Sequence, residues 1–161
     1  MKKLYPNGVM LDWGCATGRH TILECKFGYS VIAADYVKRC VDITKAKVEK
    51  ECGDYKGKVI SYIVNQDIDI DGVKDETLDV IVAWGVIFLN SKEQQQIMLN
   101  NMYRMLKKGG RVFVDFRTQR DSLYLKQKNR NSDGFIVDSE DSSIVGNYIN
   151  ILPVEELKKC F

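Results

Sequence analysis

Val9-Met10-Leu11 runs straight into Asp12-Trp13-Gly14-Cys15-Ala16-Thr17-Gly18, and a helical pattern over residues 19–27 follows. A strand that breaks into a glycine loop and continues as a helix opens a βαβ arrangement, and the chain goes on to repeat it. Val31-Ile32-Ala33-Ala34 is a second apolar run, closed by Asp35, after which Val37, Val41, Thr44 and Val48 fall near helical spacing over residues 37–52. Val59-Ile60-Ser61-Tyr62-Ile63-Val64 and Leu78-Asp79-Val80-Ile81-Val82-Ala83-Trp84 are rich in β-branched and aromatic side chains and read as strands. Residues 92–107 place Ile97, Leu99, Met102, Met105 and Leu106 on an amphipathic helix that Lys107-Lys108-Gly109-Gly110 brings to a stop. Arg111-Val112-Phe113-Val114-Asp115-Phe116 is the fifth strand. Strands separated by helices pair in parallel through right-handed crossovers with helices on both faces, so the predicted class is a doubly wound α/β fold with a mainly parallel sheet.

From residue 118 to 150 the pattern gives way to polar residues, with Asp133-Gly134 and the run 138–143, which predicts a surface excursion outside the core. Pro153 then starts a short helix with Glu155 and Glu156 at its positive end and Lys158 and Lys159 at its negative end. Val112, Phe113, Val114 and Phe116 put large residues on both faces of strand five, as in an interior strand, yet no later strand is placed to pair with its outer side. An open edge of this kind invites association. Three covers follow: a homodimer through the strand-five edge, the excursion folding back over it, or a chain that is one piece of a longer protein. The excursion is favoured, because Gly134-Phe135-Ile136-Val137 and residues 144–151 contain β-prone runs.

Of 161 residues, 45% are hydrophobic and 29% charged, a balance that supports one globular domain over residues 1–161 and excludes a disordered chain. The net charge of +2 sets up no field that favours nucleic acid or an anionic membrane. The longest apolar run, residues 80–89, is too short for a bilayer, which takes about 20 residues. Met1-Lys2-Lys3 is followed by Leu4-Tyr5-Pro6-Asn7-Gly8 and not by an export sequence, so the expected location is cytoplasmic. Five cysteines without a CxxC pair fit neither a disulfide framework nor a zinc site, and no metal is expected.

In an open α/β sheet, ligands bind beyond the carboxyl ends of the strands, where glycines admit close approach and a helix N-terminus offers free N–H groups. Residues 12–18 occupy such a point. The segment reads GCATG and departs from the GxGxxG dinucleotide pattern by Ala16 and by Arg19 after Gly18. A carboxylate at Asp12 would repel a pyrophosphate but can receive an ammonium group, directly or through water, so the loop points to a zwitterionic amino-acid ligand. Asp35 follows Gly14 near the spacing of about 20 residues at which an acid meets ribose hydroxyls.

The loop resembles motif I of the class I, Rossmann-like S-adenosylmethionine-dependent methyltransferases, written (D/E)xGxGxG, with Asp12, Gly14, Ala16 and Gly18 in register and Ala16 a tolerated variant of the middle glycine. That resemblance implies a cofactor site of Asp12, Gly14, Cys15, Ala16 and Gly18 on the loop and Asp35 with Tyr36 at the ribose. It further implies Asp67 on the adenine amino group, Ile68 against the ring, and the backbone at Trp84 beside the methionine part. The matches cover about residues 9–117. S-adenosylmethionine is the implied cofactor, with S-adenosylhomocysteine as product. Class members add a helix before motif I and a C-terminal β-hairpin, neither of which is found here, so the chain reads as a single domain truncated at one or both ends.

Each assignment has a plainer counterpart. Asp35 is also suited to capping the next helix, Asp67 to a solvated turn, Trp84 to packing its ring in the core, and Cys15 to filling space among glycines. The catalytic group is not identified by the sequence. His20 at the start of the first helix, and Arg117 and Tyr124 beyond strand five, are weak candidates, the last two being equally suited to a salt bridge and a packed ring. No (D/N)PPY follows strand four, where Ala83-Trp84-Gly85-Val86 stands, which disfavours DNA adenine methylation. The predicted function is methyl transfer to a small-molecule acceptor. A catalytically silent cofactor- or partner-binding module stays open, as does a nicotinamide-dependent enzyme, which Asp12 and the GCATG loop disfavour.

Overall fold

The computed structural model describes Tyr5 and residues 7–53, 57–64, 68, 70, 72–137 and 147–151. Five parallel strands form its sheet: β1 (Val9–Trp13), β2 (Ser30–Asp35), β3 (Lys58–Val64), β4 (Leu78–Ala83) and β5 (Leu106–Val114), in the order β3-β2-β1-β4-β5. Helices α1 (Arg19–Lys26) and α2 (Lys38–Glu51) connect the first three strands, and α3 (Lys92–Met105) precedes β5. Alternation along the strands sorts their side chains onto two faces. Met10, Val31, Val80 and Val82 pack with Ile22 and Cys25 of α1 and Val48 of α2, whereas Leu11, Trp13, Ile81 and Ala83 pack with Met98, Met102 and Met105 of α3. Because both faces are covered, the central strands are apolar throughout, which is why they stand out in the sequence. Beside central β1, the chain runs one way to β2 and the other way to β4, leaving a crevice at the strands' carboxyl ends.

Three expectations need correction. The helix before β5 ends at Met105, and Leu106 already pairs with Leu78, so Lys107-Lys108-Gly109-Gly110 bulges out within the strand instead of leading up to it. Pairing resumes at Val80 with Arg111, and Lys107 Nζ is held 2.8 Å from Asp79 Oδ2.

The second concerns strand five, which does not have the two covered faces of an interior strand. Val112, Val114 and Phe116 pack toward α3, while Phe113 on the other face is 41% exposed.

The third is the polar excursion. It contains α4 (Ser122–Lys126) and an antiparallel pair, β6 (Gly134–Ile136) and β7 (Tyr148–Asn150). The local pairing was expected, but the pair does not cover β5. It buries Phe135, Val137, Ile149 and Ile151 against Phe88 in a second small core over the 3₁₀ turn Ile87–Leu89. Phe135 and Ile149 sit opposite each other in the ladder, and Phe88 gives that apolar face a partner next to β4 that the β5 edge does not offer. Among the described residues no strand pairs with the outer edge of β5. The expected helix from Pro153 lies outside the described residues.

Candidate active site

The loop after β1 is held from several sides. Gly14 and Cys15 donate their N–H groups to the Ala34 carbonyl at 2.8 and 2.9 Å, and Ala16 donates to Asp35 Oδ2 at 2.9 Å. From α2, the Thr44 hydroxyl donates to the Ala16 carbonyl at 3.0 Å and Lys47 Nζ to the Thr17 carbonyl at 3.0 Å. Gly14 and Gly18 both have φ of +82°, and Ala16 has φ of +46°. A Cβ on Gly14 would stand 2.1 Å from Val86 Cγ2, and one on Gly18 would meet Thr44 at 2.9 Å. The glycines therefore bring the loop against β4's exit and α2, and these contacts with the Ala34 carbonyl, Asp35, Thr44 and Lys47 hold its shape.

Asp12 is 1% exposed, and its Oδ2 accepts from the Thr21 amide at 2.9 Å and the Thr21 hydroxyl at 2.5 Å, tying β1 to α1. Burial raises the Asp12 pKa, against the lowering effect of the Thr21 hydroxyl and of nearby His20. Glu24, one turn after Thr21 on the same face of α1, is 2% exposed, with neither carboxyl oxygen hydrogen-bonded among the described residues. Burial, and then the charge of Asp12, push its pKa well above the usual carboxylate range. Sequence reasoning missed Glu24; its spacing from Thr21 on an inward face was the available signal.

Asp35 uses both oxygens, Oδ2 for the Ala16 amide and Oδ1 for the Val37 amide at 2.9 Å, just before α2 begins. The turn-forming contact and a place at the cleft coexist in this one side chain. The cleft, of about 320 Å³, opens at the carboxyl ends of the first four strands and is lined by Trp13, Gly14, Asp35, Tyr36, Ile68, Val86, Leu89 and Met98. Asn90, Gln94 and Asn147 complete its wall. The β6–β7 unit thus contributes to the cleft, and it is fastened there: Asn150 Nδ2 donates to the Asn90 carbonyl at 2.7 Å, and Lys92 Nζ lies 2.8 Å from Asp133 Oδ1.

Gly14, Asp35, Tyr36 and Ile68, all singled out in the sequence, meet in this cleft. Asp12, Cys15, Ala16 and Gly18 lie behind or beside it, and Asp67 lies outside the described residues. Trp84 does not pack into the core: the residue is 55% exposed, and its ring meets the His20 ring edge-to-face at 6.5 Å. Arg19 Nη2 is 3.4 Å from His20 Nε2. The Cys15 thiol is pushed up to about 12 by burial, which suits a space-filling residue and not a nucleophile. Arg117 is ion-paired with Asp121 at 2.8 Å and stacks over Phe88, and Tyr124 packs on Phe135 while its hydroxyl donates to the Asn131 carbonyl. Both hold the β6–β7 unit in place and neither lines the cleft. The residues that sequence reasoning missed, Asn90, Gln94, Met98 and Asn147, belong to no motif.

The groups present suit S-adenosylmethionine. Ile68, Val86, Leu89 and Met98 give the cleft an apolar side that suits a flat base, and the Asp35 carboxylate brings hydrogen-bond acceptors to the same cleft. This strand order, with a rigid glycine loop after β1 and an acid at the end of β2, is the architecture of the class I methyltransferases. The model of the family described as "Methyltransferase domain" matches residues 10–110, more than half of the chain, and the chain belongs to that family, the S-adenosylmethionine-dependent methyltransferases. No curated protein matches the sequence. Among solved structures, a SAM-dependent methyltransferase of Methanosarcina mazei superposes with a TM-score of 0.77 at 16% identity, covering 96% of this chain and 79% of that one. A Pyrococcus horikoshii protein gives 0.73 at 14% identity, covering 96% of this chain and 71% of that one. PKMT2 of Rickettsia typhi, solved in complex with AdoHcy, gives 0.58 at 21% identity over 71% of this chain and 21% of that one.

Proposed function

We propose that the chain transfers a methyl group from S-adenosylmethionine to a small-molecule acceptor in the cytoplasm, with the cofactor in the cleft at the carboxyl ends of β1 to β4. The observation that carries this reading is the meeting of Gly14, Asp35 with Tyr36, and Ile68 around one cleft from three separate segments. In it, Asp35 accepts from the ribose, Tyr36 and Ile68 flank the adenosine, and Asp67 takes the adenine amino group. Asp12 receives the amino group of the methionine part, the backbone of Cys15, Ala16 and Gly18 shapes the approach, and the backbone at Trp84 lies beside the methionine chain.

When bound, the cofactor supplies a methyl group on a sulfonium sulfur that is already reactive, so position and approach are most of what the protein must add. The prearranged loop fixes position. His20, whose imidazole stands at the loop's outer side against Trp84, is the residue we assign to taking a proton from an acceptor that carries one. The near-neutral charge, and Asp35 as the charged side chain among the described residues that line the cleft, support an uncharged or cationic small molecule over a nucleic acid.

Isothermal titration with S-adenosylhomocysteine and NADH, followed by a methyl-transfer screen with labelled cofactor, tests the proposal. Binding of the first ligand alone, with label transferred to a small molecule, is expected. Binding of NADH instead would overturn the cofactor site, and binding without transfer to any acceptor would return the silent-module reading.

A further inference from the structure

The mechanism leaves unused one buried group, Glu24. Its carboxyl has no hydrogen-bond partner among the described residues and almost no contact with solvent. An ionised carboxylate in that setting would lose its solvation with no hydrogen bond to replace it, so the group folds as the neutral acid. Among the described residues, the groups coupled to it include no Lys or Arg. Asp12 neighbours it from β1; Cys25 adjoins it on α1; Tyr29, whose hydroxyl is also buried with no hydrogen-bond partner among the described residues, neighbours it from just before β2 and brings Tyr5 and Asp79 behind it. Asp12 in turn feels His20 and Asp35. All of these are acids, thiols or phenols except His20, so among the described residues acidic groups outnumber cations beneath the loop.

We propose that Asp12 and Glu24 act as one carboxyl pair that gives up a proton when a cationic amine docks against Asp12. The inference rests on the cofactor reading above, and concerns how the site balances its charge. Without ligand, the Glu24 O–H keeps a second negative charge from forming beside Asp12. A docked ammonium adds one positive charge at low dielectric and favours the ionised form of every acid near it. The Glu24 O–H bond then breaks, its electron pair stays on the oxygen, and the proton leaves to solvent. One positive charge enters and one leaves, so the buried site keeps the same net charge. By linkage, a ligand that releases a proton binds more tightly as pH rises, by up to about tenfold per pH unit for one full proton.

The experiment titrates the full chain, carrying His20→Gln so that imidazole protons do not contribute, with S-adenosylhomocysteine between about pH 5 and pH 7.5. Buffers of different ionisation enthalpy report the protons exchanged. Proton release that is largely lost in Glu24→Gln, together with an affinity that rises with pH only when Glu24 is present, is the expected result. Infrared difference spectra of the His20→Gln chain give a second measurement that needs no change at Glu24: the carbonyl stretch of a buried carboxylic acid should weaken on binding. Binding with no proton exchange at any pH, or with the same exchange in Glu24→Gln, overturns the inference and leaves the cofactor site standing. Failure of the ligand to bind at all overturns both, and the two failures are thereby distinct.

Discussion

Thr21→Val tests how the carboxylate beneath the loop is held. Thr21 is fully buried, and its hydroxyl and amide both donate to the same oxygen of Asp12. Valine keeps the side-chain shape and the amide, and removes only the hydroxyl. A hydrogen bond to a charged group contributes about 1.5–3 kcal/mol to stability. In a chain of this size each kcal/mol shifts Tm by about 2–4 °C, so the expected loss is about 3–12 °C at neutral pH. Thr21→Ser separates the hydroxyl from the methyl, because it keeps the donor and sacrifices one buried carbon, about 0.8 kcal/mol. Serine should therefore lie closer to the parent than valine does. With the hydroxyl gone, burial of Asp12 is opposed by fewer stabilising contacts and its pKa rises further, so the valine deficit should shrink in acid, where Asp12 is protonated in both proteins. Calorimetric melts at neutral and acidic pH measure all three quantities. A valine variant that melts with the parent at neutral pH, or a deficit equal at both pH values, would refute the argument that Thr21 stabilises an ionised Asp12.

Gly14→Ala should destabilise the chain by about 2–5 kcal/mol, from the left-handed conformation together with the clash on Val86, and Val86→Ala in the same chain should recover part of it in denaturant melts. Full stability of Gly14→Ala would contradict the close approach. Asp35→Ala should weaken S-adenosylhomocysteine about 5- to 150-fold by titration, corresponding to about 1–3 kcal/mol for the lost acceptor, while circular dichroism shows the fold retained. An unchanged Kd would confine Asp35 to its contacts with Ala16 and Val37. The folded-state pKa values of Glu24 and Asp12 are raised, so their contribution to stability is fully present below their unfolded values and is lost as pH climbs through the folded ones. Urea melts from pH 4 to pH 8 should show Glu24→Gln gaining stability relative to the parent as pH rises, and a constant difference would exclude a buried neutral acid. The uncovered β5 edge predicts concentration-dependent dimers in light scattering that Phe113→Lys weakens; a monomer at all concentrations would remove the homodimer.

The parts of the fold that were legible are those where burial is two-sided and therefore local in its signature. The apolar runs of β1, β2 and β4 are continuous because helices cover both faces, and Gly14, Asp35 and Ile68 stand at predictable offsets from the ends of the strands before them. Where the outcome depended on which distant segment arrives, the sequence was silent or misleading. Phe113 has the same character as Val112 and Val114, and nothing local tells it that no element among the described residues covers its face. Phe135 and Ile149 are separated by a polar stretch that dominates the composition, and become a core only when their ladder forms and Phe88 closes it. The same is true of function. Asn147 enters the cleft only because that second core brings the β6–β7 unit to it, and Arg117 and Tyr124, which looked available for chemistry, are engaged in building the unit. A polar excursion in this chain is thus best judged by its few apolar residues: four of them, on one face of a two-stranded unit, convert a surface loop into a wall of the candidate active site.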